Sequence, residues 1–416
     1  MPYRKRIVED ELLLKLASTG AVVIEGPKAC GKTATARQLS KSELLLDVDP
    51  NARAIGAIAP HLLLDGATPR LIDEWQLEPA IWNHVRRAVD DRQATGQFIL
   101  TGSAVPADDI TRHTGAGRLT RMRMRPMSLV ETGHSTGSTS LSALLSVGPA
   151  TSKDSGLTIE KIAERIAIGG WPGHQSRTVP EALQAVRGYL DEIRRVDISR
   201  VDGIRRDPDR VGRLLVSLAR NVATYVSDRA LANDTGGSEG PIKDETVAEY
   251  LTAMERLMLI EDQPAWAPHL RSRSILRAAP KRHFVDPSIA VAAMRATPDR
   301  LLAEIGWMGF LFESLVVRDL RIYAQANDAE VRQYRDNTKL EVDAVVTAAN
   351  GTWAAFEVKL GHNMIDEAAA HLLTFANRVD TSVCGKPATL AVIVGTGYGY
   401  VRPDGVAVIP VGSLGP

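Results

Sequence analysis

Cysteine is nearly absent from this sequence: only Cys30 and Cys384 occur in 416 residues. Two isolated thiols make neither a disulfide framework nor a cysteine metal cluster, so a reducing, cytoplasmic compartment is expected. Also missing is any apolar run of about 18–20 residues, the length a membrane helix requires. The opening stretch MPYRKRIVEDELLLKLAS has basic residues but no apolar core or small-residue cleavage site, so it does not read as a signal peptide. Net charge is absent as well, with 50 Lys and Arg against 50 Asp and Glu. A balanced total does not announce a nucleic-acid partner, although it leaves room for local basic faces. No internal repeat is present. What remains is a globular composition, 44% hydrophobic and 24% charged, in a chain long enough for two or three domains.

Residues 4–19 read as a helix, and AVVIEG (21–26) as a short apolar strand. LLLDVD (44–49) and RLIDEW (70–75) are apolar runs ending in acids, and FILTGS (98–103) ends in small polar residues. Such runs are typical of buried parallel strands, because helices cover both faces of the sheet. Strands alternating with helices over 1–131 imply a doubly wound α/β domain. Residues 132–156, rich in Ser, Thr and Gly, read as a linker or flexible insertion. Helical patterns fill most of 157–296, and a helix with three strand-like runs, a helix and a strand follow in 297–416.

GPKACGKT, from Gly26 to Thr33, satisfies G-x-x-x-x-G-K-[ST] between a strand and a helix. In that layout the backbone N–H groups of Gly26, Pro27, Lys28, Ala29, Cys30, Gly31, Lys32, Thr33 and Ala34 (proline excepted) surround a nucleotide's phosphates. Lys32 bridges the β- and γ-phosphates of ATP, and Thr33 offers a hydroxyl to Mg2+. Lys28 adds positive charge, whereas Cys30 reads as structural. At the end of a neighbouring strand, Asp73 is the expected metal ligand and Glu74 the base for the attacking water. Thr101 and Ser103 are candidates to sense the γ-phosphate or orient that water, and Arg118 is a candidate arginine finger. If Arg118 acts in trans, a homo-oligomer is implied. Arg121, Arg123 and Arg125 alternate with methionines and read as a solvated edge face.

In order, GPKACGKT, LIDEWQLEPAIWNHVRRAVD, FILTGS, GRLTRMRMRPMSLVE and GGWPG resemble a widespread prokaryotic group of AAA-type ATPases. The C-terminal half of that group is catalogued as a domain of unknown function. The resemblance implies an AAA-like P-loop core with Lys32, Thr33, Asp73 and Glu74 in the usual roles.

Residues 208–291 read as a winged helix: two helices, a third in KDETVAEYLTAMERLML, then a strand, a basic loop and a strand. The third helix is acidic, which argues against DNA reading, while Arg271, Arg273, Arg277, Lys281 and Arg282 make the wing basic. Protein packing and DNA or RNA contact stay open as its role. The last domain has the order of a PD-(D/E)xK nuclease core. Glu313 lies on its helix, Asp343 on one strand, and Glu357 and Lys359 on the next. The separation 357 − 343 = 14 suits a hairpin that joins the acids. Glu313, Asp343 and Glu357 are the candidate Mg2+ ligands there, with Lys359 positioning water.

Three functions compete. The first is a magnesium-dependent ATPase coupled to a nuclease-like, nucleic-acid-binding C-terminal module. The second is an ATP-gated DNA or RNA nuclease using Asp343, Glu357 and Lys359. The third is a nucleotide switch that binds a protein partner through a degenerate nuclease fold.

Overall fold

The structure is a computed structural model, and it describes residues 2–103, 114–149, 151–268 and 279–416. Two compact units divide the chain. The first is Met1–Pro126 with Val196–Arg205 and Thr252–Leu259; the second is Met127–Arg195 with Arg206–Leu251 and Ile260–Pro416.

In the first unit five short strands form one parallel sheet. They are β1 (Ala21–Glu25), β2 (Ser42–Leu45), β3 (Arg70–Asp73), β4 (Phe98–Gly102) and β5 (Leu119–Arg123), in the order β2-β3-β4-β1-β5. Ala21, Val22, Val23 and Ile24 of β1 are all buried, as suits a β-branched central strand covered on both faces. The helix Ile81–Arg92 turns Ile81, Trp82, Val85 and Val89 toward the sheet, where they join Val23, Ile72 and Leu100 in one core. The register brings Glu25 beside Gly102, and Asp73 beside Thr101. The carboxyl ends of β1, β3 and β4 therefore share one edge, the edge where ligands bind in open parallel sheets.

In the second unit, residues 132–156 are not a linker. β6 (Thr139–Ser140) pairs in parallel with the last strand of the chain, and the helix Leu141–Ser146 buries Leu141, Leu144 and Leu145. Its serines serve the backbone: Ser140 Oγ caps that helix by accepting from Ala143 N. The helix Asp228–Gly236 runs into the polar, Gly-containing stretch 232–241.

A six-stranded sheet completes this unit, from β7 (Ala329–Arg335), β8 (Glu341–Ala348), β9 (Trp353–Lys359), β10 (Thr389–Val394), β11 (Tyr400–Val401) and β12 (Ala407–Pro410). Its order is β11-β12-β10-β9-β8-β7, and β13 (Leu414–Gly415) is the partner of β6. β8 and β9 form an antiparallel hairpin, while β9, β10 and β12 run parallel. The 22-residue helix Ile305–Ala326 precedes β7, and Ile365–Arg378 connects β9 to β10. Trp266, Trp353 and Phe375 pack with Val345 and Val392 in this core.

A buried ionic hub ties the helical part of the unit to Ile305–Ala326. Arg318 donates to Asp286 Oδ2 at 2.8 Å and to Asp319 Oδ1 at 2.7 Å, and all three residues are buried. The GGWPG run meets the same hub. Gly170 N donates to Asp286 Oδ2 at 2.9 Å, and Trp171 Nε1 donates to Ser288 Oγ at 2.9 Å. A side chain at Gly170 would come within 2.1 Å of the Met127 carbonyl oxygen, so the second glycine is needed for close packing.

Candidate functional site

The phosphate loop leaves β1 at Gly26, where an added Cβ would lie 2.3 Å from the Met124 carbonyl oxygen. Ala29 and Gly31 both take positive φ, 63° and 103°, which turns the loop before the helix Lys32–Leu39 begins. Cys30 is buried against Met124, in keeping with a structural role. Lys32 is also buried, and its Nζ donates to the carbonyls of Gly26 and Pro27 at 2.9 Å each. Arg6 braces the assembly from outside the motif, donating to the carbonyls of Cys30 and Arg125 at 2.8 Å each.

Asp73, the last residue of β3, stands next to this loop, and Glu74 follows it. Thr33 Oγ1 donates to Asp73 Oδ1 at 2.8 Å, and Thr101 Oγ1 donates to the same oxygen. Glu74 takes a left-handed φ of 53°, an uncommon choice for a side chain with a Cβ. Its Oε2 accepts from Ser103 Oγ at 3.1 Å and from Gln76 Nε2. A hydroxyl and a carboxylate in contact at the loop form an oxygen-only donor set that fits a hard divalent cation.

The other expected site residues have partners of their own in the structure. Thr101 is buried and its hydroxyl donates to Asp73, while Ser103 donates to Glu74. Lys28 pairs with Asp197 at 2.7 Å, which directs its charge away from the loop's interior. Arg118 stands at the wrong end of the sheet for a finger acting within its own chain. Its carbonyl accepts from Ala21 N, at the start of β1, and its Nε donates to Asp90 Oδ1 at 2.8 Å. Five strand steps of about 3.3 Å separate that level from Gly26, roughly 16 Å. Arg121 pairs with Glu25 on the edge strand.

In the second unit the β8–β9 hairpin pairs Ala344 with Phe356, so Asp343 and Glu357 come next, facing each other. Lys359 Nζ lies 2.6 Å from Glu357 Oε2 and 3.5 Å from Asp343 Oδ2. Val358 N donates to Asp343 Oδ2 at 2.9 Å. Sequence reasoning missed a fifth member. Lys281, with 4% of its side chain exposed, lies 2.5 Å from Glu313 Oε1 and 3.0 Å from Asp343 Oδ1. The backbone places it there: Lys281 exchanges both N–H···O bonds with Gln263, whose own Nε2 donates to the Asp343 carbonyl at 2.9 Å. A cavity of about 620 Å³ is lined by Lys281, Glu313, Asp343 and Lys359 together with Tyr225 and Arg335.

Three carboxyls facing two ammoniums leave one negative charge in excess if all ionise. Asp343, which both lysines and a backbone N–H contact, is held below the ordinary carboxylate range despite burial. Burial, with Asp343 second, pushes Glu313 up to about 7. Burial and the charge of Asp343 likewise raise Glu357. Both lysines are held above their ordinary value by these acids, against the opposing effect of burial.

These residues do not fit a divalent cation as expected. The Lys281 ammonium takes the position between Glu313 and Asp343 that an ion requires, and among the described residues no group of three metal-ligating side chains is present. The basic wing changes with it. Lys281 is buried, Arg282 pairs with Asp228 at 2.7 Å and with Asp262, and Arg271, Arg273 and Arg277 lie outside the described residues.

Comparison with known proteins bears on the first unit above all. Residues 18–133 match the model of an AAA domain. The match supports an AAA-type P-loop ATPase that binds and hydrolyses ATP. Residues 159–300 and 308–414 each match a domain of unknown function, DUF8612 and DUF4143. No curated protein matches the chain. Among solved structures, the Walker-type ATPase PABY2304 of Pyrococcus abyssi is 12% identical with a TM-score of 0.42, over 69% of this chain and 94% of that one. The STAND protein PH0952 of Pyrococcus horikoshii, which has a tetratricopeptide repeat sensor, is also 12% identical, with a TM-score of 0.20, over 77% of this chain and 48% of that one. At these scores neither likeness carries weight for the fold or function here. No helix among the described residues is long and apolar enough to cross a membrane.

Proposed function

We propose that the chain is a magnesium-dependent ATPase whose second unit is a nuclease-like fold used for binding rather than cleavage. The observation that carries the ATPase reading is the Thr33–Asp73 contact of 2.8 Å beside the loop, with Glu74 held next in line by Ser103. The N–H groups of loop and helix hold the phosphates, and Lys32 exchanges its carbonyl partners for β- and γ-phosphate oxygens. Thr33 and Asp73 hold magnesium, which there neutralises charge on the terminal phosphates. Glu74 takes a proton from the attacking water as the new P–O bond forms and the bond to the β–γ bridging oxygen breaks. The products are ADP and phosphate.

The test is steady-state ATP turnover with magnesium and with excess chelator, in wild type and in Lys32→Ala. Loss of at least about a hundredfold in the variant and with chelator is expected. A Lys32→Ala variant with full turnover sinks the reading.

The Lys281 ammonium between Glu313 and Asp343 favours a degenerate nuclease fold that serves a protein partner, over an ATP-gated nuclease. Plasmid, single-stranded DNA and RNA, each with magnesium or manganese and with or without ATP, provide the assay. Cleavage that disappears in Asp343→Ala restores the nuclease reading.

A further inference from the structure

A groove of about 520 Å³ in the second unit is lined from the helices Val179–Glu192, Pro208–Arg220 and Ser288–Ala293 and the residues just beyond them. Small organic ligands occupy sites of this size. Five arginines line it: Arg187, Arg194, Arg213, Arg220 and Arg295. Three carboxylates share the wall, Asp191, Asp209 and Asp234, so the lining keeps 5 − 3 = 2 positive charges in excess. Asp191 pairs with Arg194 at 2.9 Å, and Asp234 accepts from Ser217 Oγ at 2.6 Å. No ion pair joins Arg187, Arg220 or Arg295 to an acid among the described residues. The Nε of Arg187 is buried and has no hydrogen-bond partner there. A buried donor left in that state is costly, which marks a place where an acceptor belongs.

Two backbone features shape the groove around its guanidiniums. Ile193–Asp197 is a π turn that continues the helix Val179–Glu192, and it carries Arg194. Such turns inside helices occur frequently at functional sites. Gly212 sits within the helix Pro208–Arg220, where glycine is disfavoured relative to alanine. An added Cβ there would lie 3.2 Å from Arg194 Nη1, so glycine leaves room for that guanidinium. Arg213 is oriented by donating from Nε to the Thr235 carbonyl at 2.7 Å. The rest of the wall is apolar, with Leu190, Leu215, Val216 and Ala292.

We propose that this groove binds a phosphate-bearing ligand of mononucleotide size, with the phosphate on Arg187, Arg194 and Arg220 and the organic body on the apolar wall. Guanidinium forks match phosphate oxygens two at a time; Arg187 and Arg220 lose no acidic partner on binding, while Arg194 keeps Asp191 on its Nε and has its Nη groups to offer. The residues involved are separate from the phosphate loop at 26–33, so the proposal does not rest on the ATPase reading.

The test is arginine labelling of the full-length chain with phenylglyoxal, read residue by residue by peptide mass spectrometry. Binding at the phosphate loop then does not register as protection of the groove. Saturating AMP is expected to slow labelling of Arg187 and Arg220 about tenfold, with inorganic phosphate weaker because it leaves the apolar wall uncovered. In Arg187→Gln/Arg220→Gln, with an unchanged circular dichroism spectrum, AMP is expected to lose its protection of Arg194. Absence of protection by AMP overturns the proposal, as does protection by a single-stranded oligonucleotide alone. Undiminished protection of Arg194 in the double variant also overturns it.

Discussion

Replacing Lys281 with methionine keeps an unbranched apolar stem, removes the terminal ammonium, and so takes one charge from the buried cluster. Its Nζ lies 2.5 Å from Glu313 and 3.0 Å from Asp343. At an effective dielectric of about 20 those contacts are each worth on the order of 5–7 kcal/mol before desolvation, most of which desolvation offsets. Removing one partner of a buried ion pair costs about 3–5 kcal/mol, because the other is left uncompensated. At about 2–4 °C per kcal/mol, the melting transition of the second unit falls by roughly 6–20 °C.

The loss depends on pH, and its sign follows from Glu313. Burial already holds that carboxyl up to about 7, while Lys281 pulls it down. Without Lys281 it titrates higher and keeps its proton at neutral pH. A raised carboxyl contributes stability that is present below its unfolded value near 4.5 and is lost as pH rises through the folded value. The deficit of Lys281→Met is therefore largest near pH 9 and shrinks toward pH 6, where the variant approaches charge balance. Differential scanning calorimetry at both pH values measures it, with manganese added in a second series. Manganese is expected to raise the melting temperature of the variant but not of wild type, since only the variant vacates the space between Glu313 and Asp343. Equal melting temperatures at pH 9, or a deficit that does not shrink at pH 6, refute the reasoning.

Three further outcomes follow from the same geometry. Glu74→Gln is expected to bind ATP with wild-type affinity yet lose about 10²–10⁴ in single-turnover hydrolysis, because it keeps the shape and removes the base; full turnover would take Glu74 out of that role. Arg118→Ala is expected to leave turnover within about twofold at dilutions where the chain is a single copy, given the roughly 16 Å between its level and the loop. A loss there, measured by the same assay, would place the side chain in its own active site. Arg318→Met leaves Asp286 and Asp319 buried without their cation, and urea unfolding is expected to show a loss of about 3–5 kcal/mol.

What the chain discloses in advance depends on how its contacts are spaced. The phosphate loop is legible because eight consecutive residues carry the chemistry, and the motif requires a strand before it and a helix after it. Asp73 and Glu74 are legible because an apolar run ending in acids marks the carboxyl edge of a parallel sheet. Thr101 and Ser103 are found for the same reason, but their hydrogen-bond partners are the two acids, a choice that local sequence leaves open. Residues 132–156 mislead through composition. Serines that read as solvent-loving linker act as helix caps and turn residues, while Leu141, Leu144 and Leu145 supply the buried side.

Arg118 and Lys281 differ in how far the sequence alone places them. Arg118 immediately precedes β5, and β5 runs parallel to β1. A residue before such a strand lies at the amino edge of the sheet, whereas phosphates bind at the carboxyl edge, so direction alone is enough to reject a finger acting on its own chain. Lys281 has no such local marker. It precedes Asp343 by 62 residues, and its place is set by paired backbone bonds to Gln263. In sequence it is one more cation in a basic stretch; in the fold it neutralises the acids that a nuclease would reserve for metal. Burying an ammonium is costly unless carboxylates surround it, so Lys281, Glu313 and Asp343 stabilise one another. A helix–strand–strand order therefore leaves the chemistry at its centre open, because one long-range cation decides whether three acids form a metal site or an ionic core.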